Sequence, residues 1–336
     1  MKIIKILIVG AGAIGGVTAA YMSLGGYDVT LMCRSPKTAE IIRSEGLRIS
    51  DKRGIRQVIM PAVSSPSELT CQFDAVLIAT KAYDMPEAAN SILPLLKSKG
   101  LAVSVQNGIC VEELARIAGH DRTAAAVVTW SSTMIGDAHL SVTASGSFII
   151  GRTDGSLRGL SELKTAMDAA FPTRISDNII AEMFSKLVIN SGITCGGAMT
   201  GQTLGEMLRR KPARKFFISV VREDVAVAEA MGLTIPPFGG KLDYYRFVSG
   251  KGALSDFRRH AVLFAVGLKY RDLTSSSLTA LRRGRPTEVL FLNGWVSKKG
   301  HEYGVATPAN DTVCRIIAEI EAGSRVIGPD NMKEFS

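Results

Sequence analysis

The stretch Lys2–Gly16 constrains the fold more than any other part of the chain. Ile3, Ile4, Ile6, Leu7, Ile8 and Val9 form a near-continuous apolar run, which suits a parallel strand buried on both faces. Gly10-Ala11-Gly12-Ala13-Ile14-Gly15 follows, a G-x-G-x-x-G that opens a helical stretch from about Ile14 to Leu24. Each glycine has a job in such a unit. Gly10 makes the tight turn, Gly12 leaves room for a pyrophosphate at the backbone, and Gly15 lets the helix approach the strand. The helix N-terminus offers free N–H groups to the anion. A second strand, Asp28–Cys33, completes the context that makes the motif informative. The candidate dinucleotide contacts are therefore Gly10, Gly12, Ala13, Ile14 and Gly15. A turn that merely closes a strand–helix unit is the plainer alternative.

The second strand runs into Arg34, with Ser35 and Lys37 behind it. An acid at this distance from the glycines would bind the ribose diol of NAD; none is here. An arginine instead can pair with a 2′-phosphate, which favours NADP(H) over NAD, although a solvated surface arginine would look the same.

Further on, Gly46–Ile49 and Ile55–Val58 read as a strand pair around the turn Asp51–Gly54. Ala75–Thr80 reads as a buried parallel strand ending in Lys81, Met85–Lys97 as a helix, and Ala102–Gly108 as a strand ending in Asn107. Residues at the carboxyl ends of such strands face the ligand crevice, so Lys81 and Asn107 are candidates for cofactor or substrate. A surface lysine and a common Asn-Gly turn are their plainer readings. Val111–Ile117 is helical, Ala124–Thr129 and Gly146–Gly151 extend the sheet in mixed directions, Leu160–Ala170 is a helix, and Pro172–Asp177 is a strand-like linker.

From Ile179 onward the pattern is helical, which places a boundary near residue 177: an α/β domain over 1–176 and an all-α domain over 177–336. Ile179–Ser191 is a helix with Lys186 and Asn190 on one face. Apolar neighbours around Lys186 would lower its pKa and suit it to general-acid work; a surface lysine beside an asparagine is the alternative. Gly196–Gly201 is expected to break this helix. Arg214–Met231, Leu242–Val248, Leu254–Val266, Leu278–Arg283 and Val289–Tyr303 are expected helices, and Thr307-Pro308 opens the last one. Glu288 sits where an acid at a helix start is favoured by the dipole, so capping alone can account for it.

Composition excludes several classes. The chain of 336 residues is 46% hydrophobic and 21% charged, as in a globular protein of about two domains. The net charge of +9 is spread along the chain, which fits an anionic cofactor and substrate better than nucleic acid. Five scattered cysteines, odd in number and without metal-ligand spacing, suggest reduced thiols in a cytoplasm and no metal site. No apolar run suits a signal peptide or a membrane span. The apolar helical half is large enough to offer a homodimer face, though the sequence does not locate one.

Taken together, Gly10–Gly15, Arg34, Thr80-Lys81, Gln106-Asn107-Gly108-Ile109 with Glu112-Glu113-Leu114, Lys186–Asn190, Gly205-Glu206, Ser276 and Thr287-Glu288 make the chain resemble the ketopantoate reductase family over nearly its full length. The resemblance implies a Rossmann-type domain followed by a helical domain like that of 6-phosphogluconate dehydrogenases. It implies NADPH-dependent reduction of a 2-oxo acid, for the family ketopantoate to pantoate in pantothenate biosynthesis. It implies that Arg34 and Lys81 hold NADPH, with Arg34 on the 2′-phosphate, and that Asn107 lies where nicotinamide meets substrate. Lys186 becomes the general acid, Asn190, Thr194 and Ser276 become substrate contacts, and Glu288 bonds substrate or Lys186. The chain departs from the family pattern at Thr194-Cys195, where an asparagine and a proline are usual, and at Thr279-Ala280, where a Gln-Asp pair is usual. Leu242–Arg271 also looks longer than in compact members. These departures leave open a paralogue acting on another 2-oxo acid; a non-catalytic NADPH-binding regulator is the remaining alternative.

Overall fold

The computed structural model describes residues 4–240 and 242–335; Lys2 and Ile3 of the expected first strand lie outside them. Two units divide the chain, Met1–Gln106 with Cys110–Ile180, and Asn107–Ile109 with Ala181–Ser336. In the first, β1 (Lys5–Val9) passes through the glycine turn into α1 (Ala13–Leu24), β2 (Asp28–Met32) and α2 (Pro36–Ser44). Next come β3 (Leu47–Asp51), β4 (Gly54–Val58), β5 (Ala62–Val63), β6 (Phe73–Ile78), α3 (Met85–Ile92), β7 (Leu96–Ser104) and α4 (Val111–Ala118). The unit continues with β8 (Thr123–Val128), β9 (Ser131–Gly136), β10 (His139–Ala144), β11 (Phe148–Arg152), α5 (Leu160–Asp168) and β12 (Thr173–Ile175).

Eight strands form one sheet in the order β12-β11-β8-β7-β6-β1-β2-β5. Neighbours are parallel except β11, which runs antiparallel to β8. This is a Rossmann-type sheet with the mixed directions expected at its far end. The chain steps from β1 to β2 on one side, while β6 lies on the other, so strand order reverses at β1. Ligand crevices open at the carboxyl ends of strands at such a point. Ile6, Leu7 and Ile8 are fully buried there, as the apolar run requires.

A second sheet, ordered β4-β3-β10-β9, was foreseen only as the β3–β4 hairpin. It lies over α1: Ser132 Oγ donates to the Ala13 carbonyl at 2.6 Å, Tyr21 Oη donates to Asp51 at 2.6 Å, and a Cβ on Gly16 would fall 2.6 Å from Leu140. Covered on this side as well as against the main sheet, α1 buries Val17, Ala19, Ala20 and Met22 completely and needs no polar face. Strands β9 and β10 escape a sequence reading because they are half exposed and joined at Asp137-Ala138. Ala138 takes φ +46° without the usual Asn-Gly or Asp-Gly signal. The expected helix Met85–Lys97 also ends early, at Ile92. Pro94 cannot donate a helical N–H, so Leu93–Leu95 tightens into a 3-10 turn and Leu96 already belongs to β7.

The helical unit follows within α6 (Ile179–Thr200), then α7 (Leu204–Arg209), α8 (Lys211–Ala230), α9 (Tyr244–Val248), α10 (Ala253–Lys269), α11 (Ser276–Arg282), α12 (Asn293–Tyr303) and α13 (Pro308–Glu321). Two expectations fail here. Gly196 and Gly197 do not break α6; the helix runs through them and stops at Thr200, before Gly201 at φ +71°. These glycines serve packing. A Cβ would fall 2.7 Å from Phe217 at Gly192, 3.0 Å from Phe216 at Gly196 and 2.6 Å from Ser275 Oγ at Gly197. Helices α8 and α11 thus sit closer to α6 than any side chain would permit. Nor is Val289–Tyr303 one helix. Val289–Phe291 is a 3-10 turn, Leu292 takes φ −110° and ψ −100°, and α12 starts only at Asn293.

Of the three motif glycines, Gly15 carries the tightest contact: its Cβ would lie 2.1 Å from the Gly10 carbonyl oxygen and 2.9 Å from Ala79 Cβ. Gly15→Ala is expected to lower the urea unfolding midpoint of the first unit, at a cost of about 3 kcal/mol. Gly12→Ala, where nothing lies within 4 Å, should leave that midpoint within error. Equal midpoints for the two variants would dissociate Gly15 from helix–strand packing.

Candidate active site

In the first unit the glycine turn sits at the end of β1. Gly10 takes φ +111°, its N–H donates to the Met32 carbonyl at 2.8 Å, and its Cα face lies against Ala79 and Thr80 at the end of β6. Gly12 is the N-cap of α1, with no capping side chain and no acid in the first turn. The first N–H groups of α1, around Ala13 and Ile14, therefore meet open space at Gly12. Beside the turn, Thr80 Oγ1 is buried and has no hydrogen-bond partner among the described residues. An uncapped helix start, a glycine with open space and an orphaned hydroxyl fit an anionic dinucleotide.

Arg34 follows β2 and is exposed. Asp84, from the turn before α3, pairs with it at 2.7 Å, a partner fifty positions away that no local pattern announces. An exposed pair of this kind contributes little, and the guanidinium keeps further donors for a phosphate. Ser35 does not face a ligand through its hydroxyl alone; its Oγ caps α2 at the Thr38 N–H, 3.3 Å away. Lys81, three residues beyond the end of β6, is half-buried.

The second unit collects the other candidates. Lys186, Asn190 and Thr194 recur every fourth residue along α6 and share one face. Lys186 is half-buried. Desolvation pulls its ammonium down to about 8, while the Glu288 carboxylate acts in the opposite sense. Glu288 is itself only 7% exposed. Its position five residues ahead of α12 removes the helix-start explanation for its acidity. The segment is held otherwise: the Thr287 N–H donates to Glu321 Oε1 of α13 at 2.7 Å, and the Glu288 carbonyl accepts from Phe291 N–H at 3.0 Å.

Asn107 belongs with this unit. Gly108, at φ +81°, lies so close to the 3-10 turn that a Cβ there would be 2.3 Å from the Phe291 carbonyl oxygen. Asn107 is thereby brought to the segment that carries Glu288. The strand before it is fixed by Gln106, whose side chain donates to the Ile78 carbonyl at 2.8 Å and accepts from Ser104 Oγ at 2.6 Å. Ser276 is the exposed first residue of α11. Its neighbour Ser275 caps that helix at the Leu278 N–H, 3.1 Å away, and rests against Gly197 of α6. Thr194 is buried at 8% exposure. Among the described residues no group of His, Cys, Asp and Glu could hold a metal ion, and no helix is long and apolar enough to cross a membrane.

A Rossmann-type unit followed by a helical unit with a desolvated lysine and a buried glutamate defines a two-domain oxidoreductase. The chain belongs to the ketopantoate reductase PanE/ApbA family: residues 6–155 match that family and residues 178–321 match its C-terminal part. The 2-dehydropantoate 2-reductase of Archaeoglobus fulgidus is 28% identical over 326 residues, which cover 96% of this chain and all of the relative. Among solved structures, a PanE/ApbA family ketopantoate reductase from Ralstonia eutropha is 26% identical with a TM-score of 0.80, covering 95% of this chain and 99% of that one. A D-mandelate dehydrogenase, solved with NADH and anilino(oxo)acetate, shares the fold at 22% identity and a TM-score of 0.81, covering 96% of this chain and all of that one.

Because the Glu288 charge raises the lysine pKa, Glu288→Gln should move it below about 8. Lys186 labelled by 13C reductive methylation and titrated by NMR would read this directly. A midpoint unchanged or raised in the variant would remove Glu288 from the lysine's electrostatics.

Proposed function

We propose that the chain reduces a 2-oxo acid with NADPH, with ketopantoate as substrate and pantoate as product. The observation that carries this reading is the half-buried Lys186 on the α6 face it shares with Asn190 and Thr194, desolvated there while the charge of the buried Glu288 acts to keep it protonated. When bound, the reduced nicotinamide supplies a hydride to the ketone carbon. The carbonyl oxygen then gains negative charge, and Lys186 is the residue to stabilise it and give it a proton. A general acid must be protonated to act, so turnover should fall as pH rises through about 8, the value to which burial brings Lys186. The Glu288 charge favours the protonated ammonium. Asn107, Asn190, Thr194 and Ser276 offer amide and hydroxyl groups for the substrate's oxygens. Gly10, Gly12, Ala13, Ile14 and Gly15 take the pyrophosphate, Lys81 assists in holding the cofactor, and Arg34 takes the 2′-phosphate.

The low identity to named reductases, 28% for the Archaeoglobus fulgidus relative, and the departures at Thr194 and Thr279-Ala280 favour one second reading: the same chemistry on another 2-oxo acid. NADPH oxidation followed at 340 nm, with ketopantoate beside a panel of other 2-oxo acids, separates the two. Turnover confined to ketopantoate supports the first reading, and turnover on another member alone supports the second. With whichever substrate is active, Lys186→Ala should lower kcat by at least about 100-fold and leave NADPH affinity near wild type. Unchanged kcat would take the lysine out of the mechanism.

Arg34→Ala should narrow the preference for NADPH over NADH by about tenfold, because a charge-assisted bond to the 2′-phosphate is lost while NADH loses nothing. Titration of each cofactor by protein fluorescence checks this. NADPH binding equal to wild type would mean that the phosphate is held elsewhere.

A further inference from the structure

We infer that Asp84 supplies, from the turn after β6, the acid that the end of β2 lacks, so that the chain binds NADH as well as NADPH. This rests on the proposed function, in which Arg34 takes the 2′-phosphate. NAD sites carry an acid near the end of the second strand, where it accepts a hydrogen bond from the ribose 2′-hydroxyl. Here that stretch is Cys33-Arg34-Ser35-Pro36-Lys37, and most of it is engaged elsewhere. Cys33 is buried and its N–H donates to the Val63 carbonyl at 2.8 Å, Ser35 Oγ accepts from the Thr38 N–H, and Lys37 pairs with Asp137 at 3.3 Å. Arg34 reaches the other way, and its guanidinium meets the Asp84 carboxylate at 2.7 Å. Strands β2 and β6 flank β1, so the pair joins the segments on either side of the glycine turn.

The two partners differ in how firmly they are held. Asp84 stands at the N-cap position of α3, yet its side chain caps nothing there. Its N–H donates to the Lys81 carbonyl at 3.0 Å, and Ala82 and Met85, on either side of it, are fully buried. Its side chain is 29% exposed, against 83% for Arg34. The acid is therefore the fixed member of the pair, and the arginine is the one that can swing. A 2′-phosphate draws the guanidinium and meets the Asp84 carboxylate as a like charge. A 2′-hydroxyl donates to that carboxylate and asks nothing of Arg34. Arg34 by itself would select strongly for NADPH. With Asp84 beside it the selection is moderate, and NADH gains a contact of its own.

Titration of NADH and NADPH by protein fluorescence, on wild type, Asp84→Ala, Asp84→Asn and Arg34→Ala, tests this without turnover. Wild type should bind both cofactors. Asp84→Ala should weaken NADH by about tenfold, the loss of one charge-assisted bond. It should tighten NADPH by about threefold, a gain that fades as salt screens the repulsion. Asp84→Asn keeps an acceptor without the charge, so it should give the same gain for NADPH and a smaller loss for NADH. A wild type that does not bind NADH would overturn the inference. So would NADPH weakened in Asp84→Ala with NADH unchanged, since Asp84 would then only prop the guanidinium, or both cofactors affected alike or not at all. These results leave the reading of Arg34 standing if Arg34→Ala still weakens NADPH. NADPH binding unaltered in Arg34→Ala would overturn that reading and the inference with it.

Discussion

A lysine partly withdrawn from water needs a counter-charge, and much of the helical unit can be understood as the means of supplying one. Desolvation lowers the Lys186 pKa and the Glu288 carboxylate opposes it. The carboxylate can do this only while it is kept out of water, where an unanchored acid would be costly. Glu288 therefore sits on a segment fixed at both ends: Thr287 is bonded to Glu321 of α13, and Phe291 is packed under Gly108. The kink at Leu292 lets this segment stand apart from α12, so the charge is not spent on a helix dipole. A continuous helix from Val289 would have offered Glu288 a stabilising role with no relation to the lysine.

The same economy of space recurs in both units. At Gly15 the backbone of α1 nearly touches the turn before it, and at Gly192, Gly196 and Gly197 the α6 backbone approaches aromatic rings and a helix cap. In the first unit the result is a helix start that meets open space at Gly12. In the second it is an α6 with α8 packed directly behind the face bearing Lys186, Asn190 and Thr194, at Gly192 and Gly196, while the start of α11 meets that same face at Gly197. Close-packed interiors transmit small displacements, and a side chain added at these α6 glycines would shift the helix that carries Lys186.

The sequence disclosed the elements whose signals are local. The apolar run of β1, the glycine turn and the change to unbroken helical periodicity after Ile179 are properties of short windows, and they predict a Rossmann-type sheet followed by helices. What it hid depends on distant partners. Strands β9 and β10 carry weak alternation, and β10 joins them to β3 some ninety residues away. Asp84 reaches Arg34 only once β6 lies beside β1. Gly196 and Gly197 look like helix breakers until Phe216 and Ser275 are seen to need their space. The nearness of Glu288 to Lys186 is likewise tertiary: nothing in the spacing distinguishes that acid from an ordinary helix cap.

The departures at Thr194 and Cys195 can be placed in the same terms. A proline at 195 would have removed a backbone N–H and disturbed the turn before it. With cysteine the N–H is retained, and α6 continues for its full 22 residues to Thr200. The thiol is fully buried and held well above its ordinary pKa by that burial, so it stays neutral and acts as packing. Thr194, one turn beyond Asn190, presents a hydroxyl where an amide would carry both a donor group and an acceptor. Under the proposed function a substrate oxygen there would meet a smaller and less versatile partner, while the lysine two turns earlier is untouched. Lys186, the proposed acid, and Thr194, the proposed substrate contact, thus stand two turns apart on one helix, and under the proposed function a change at the second position needs no change at the first.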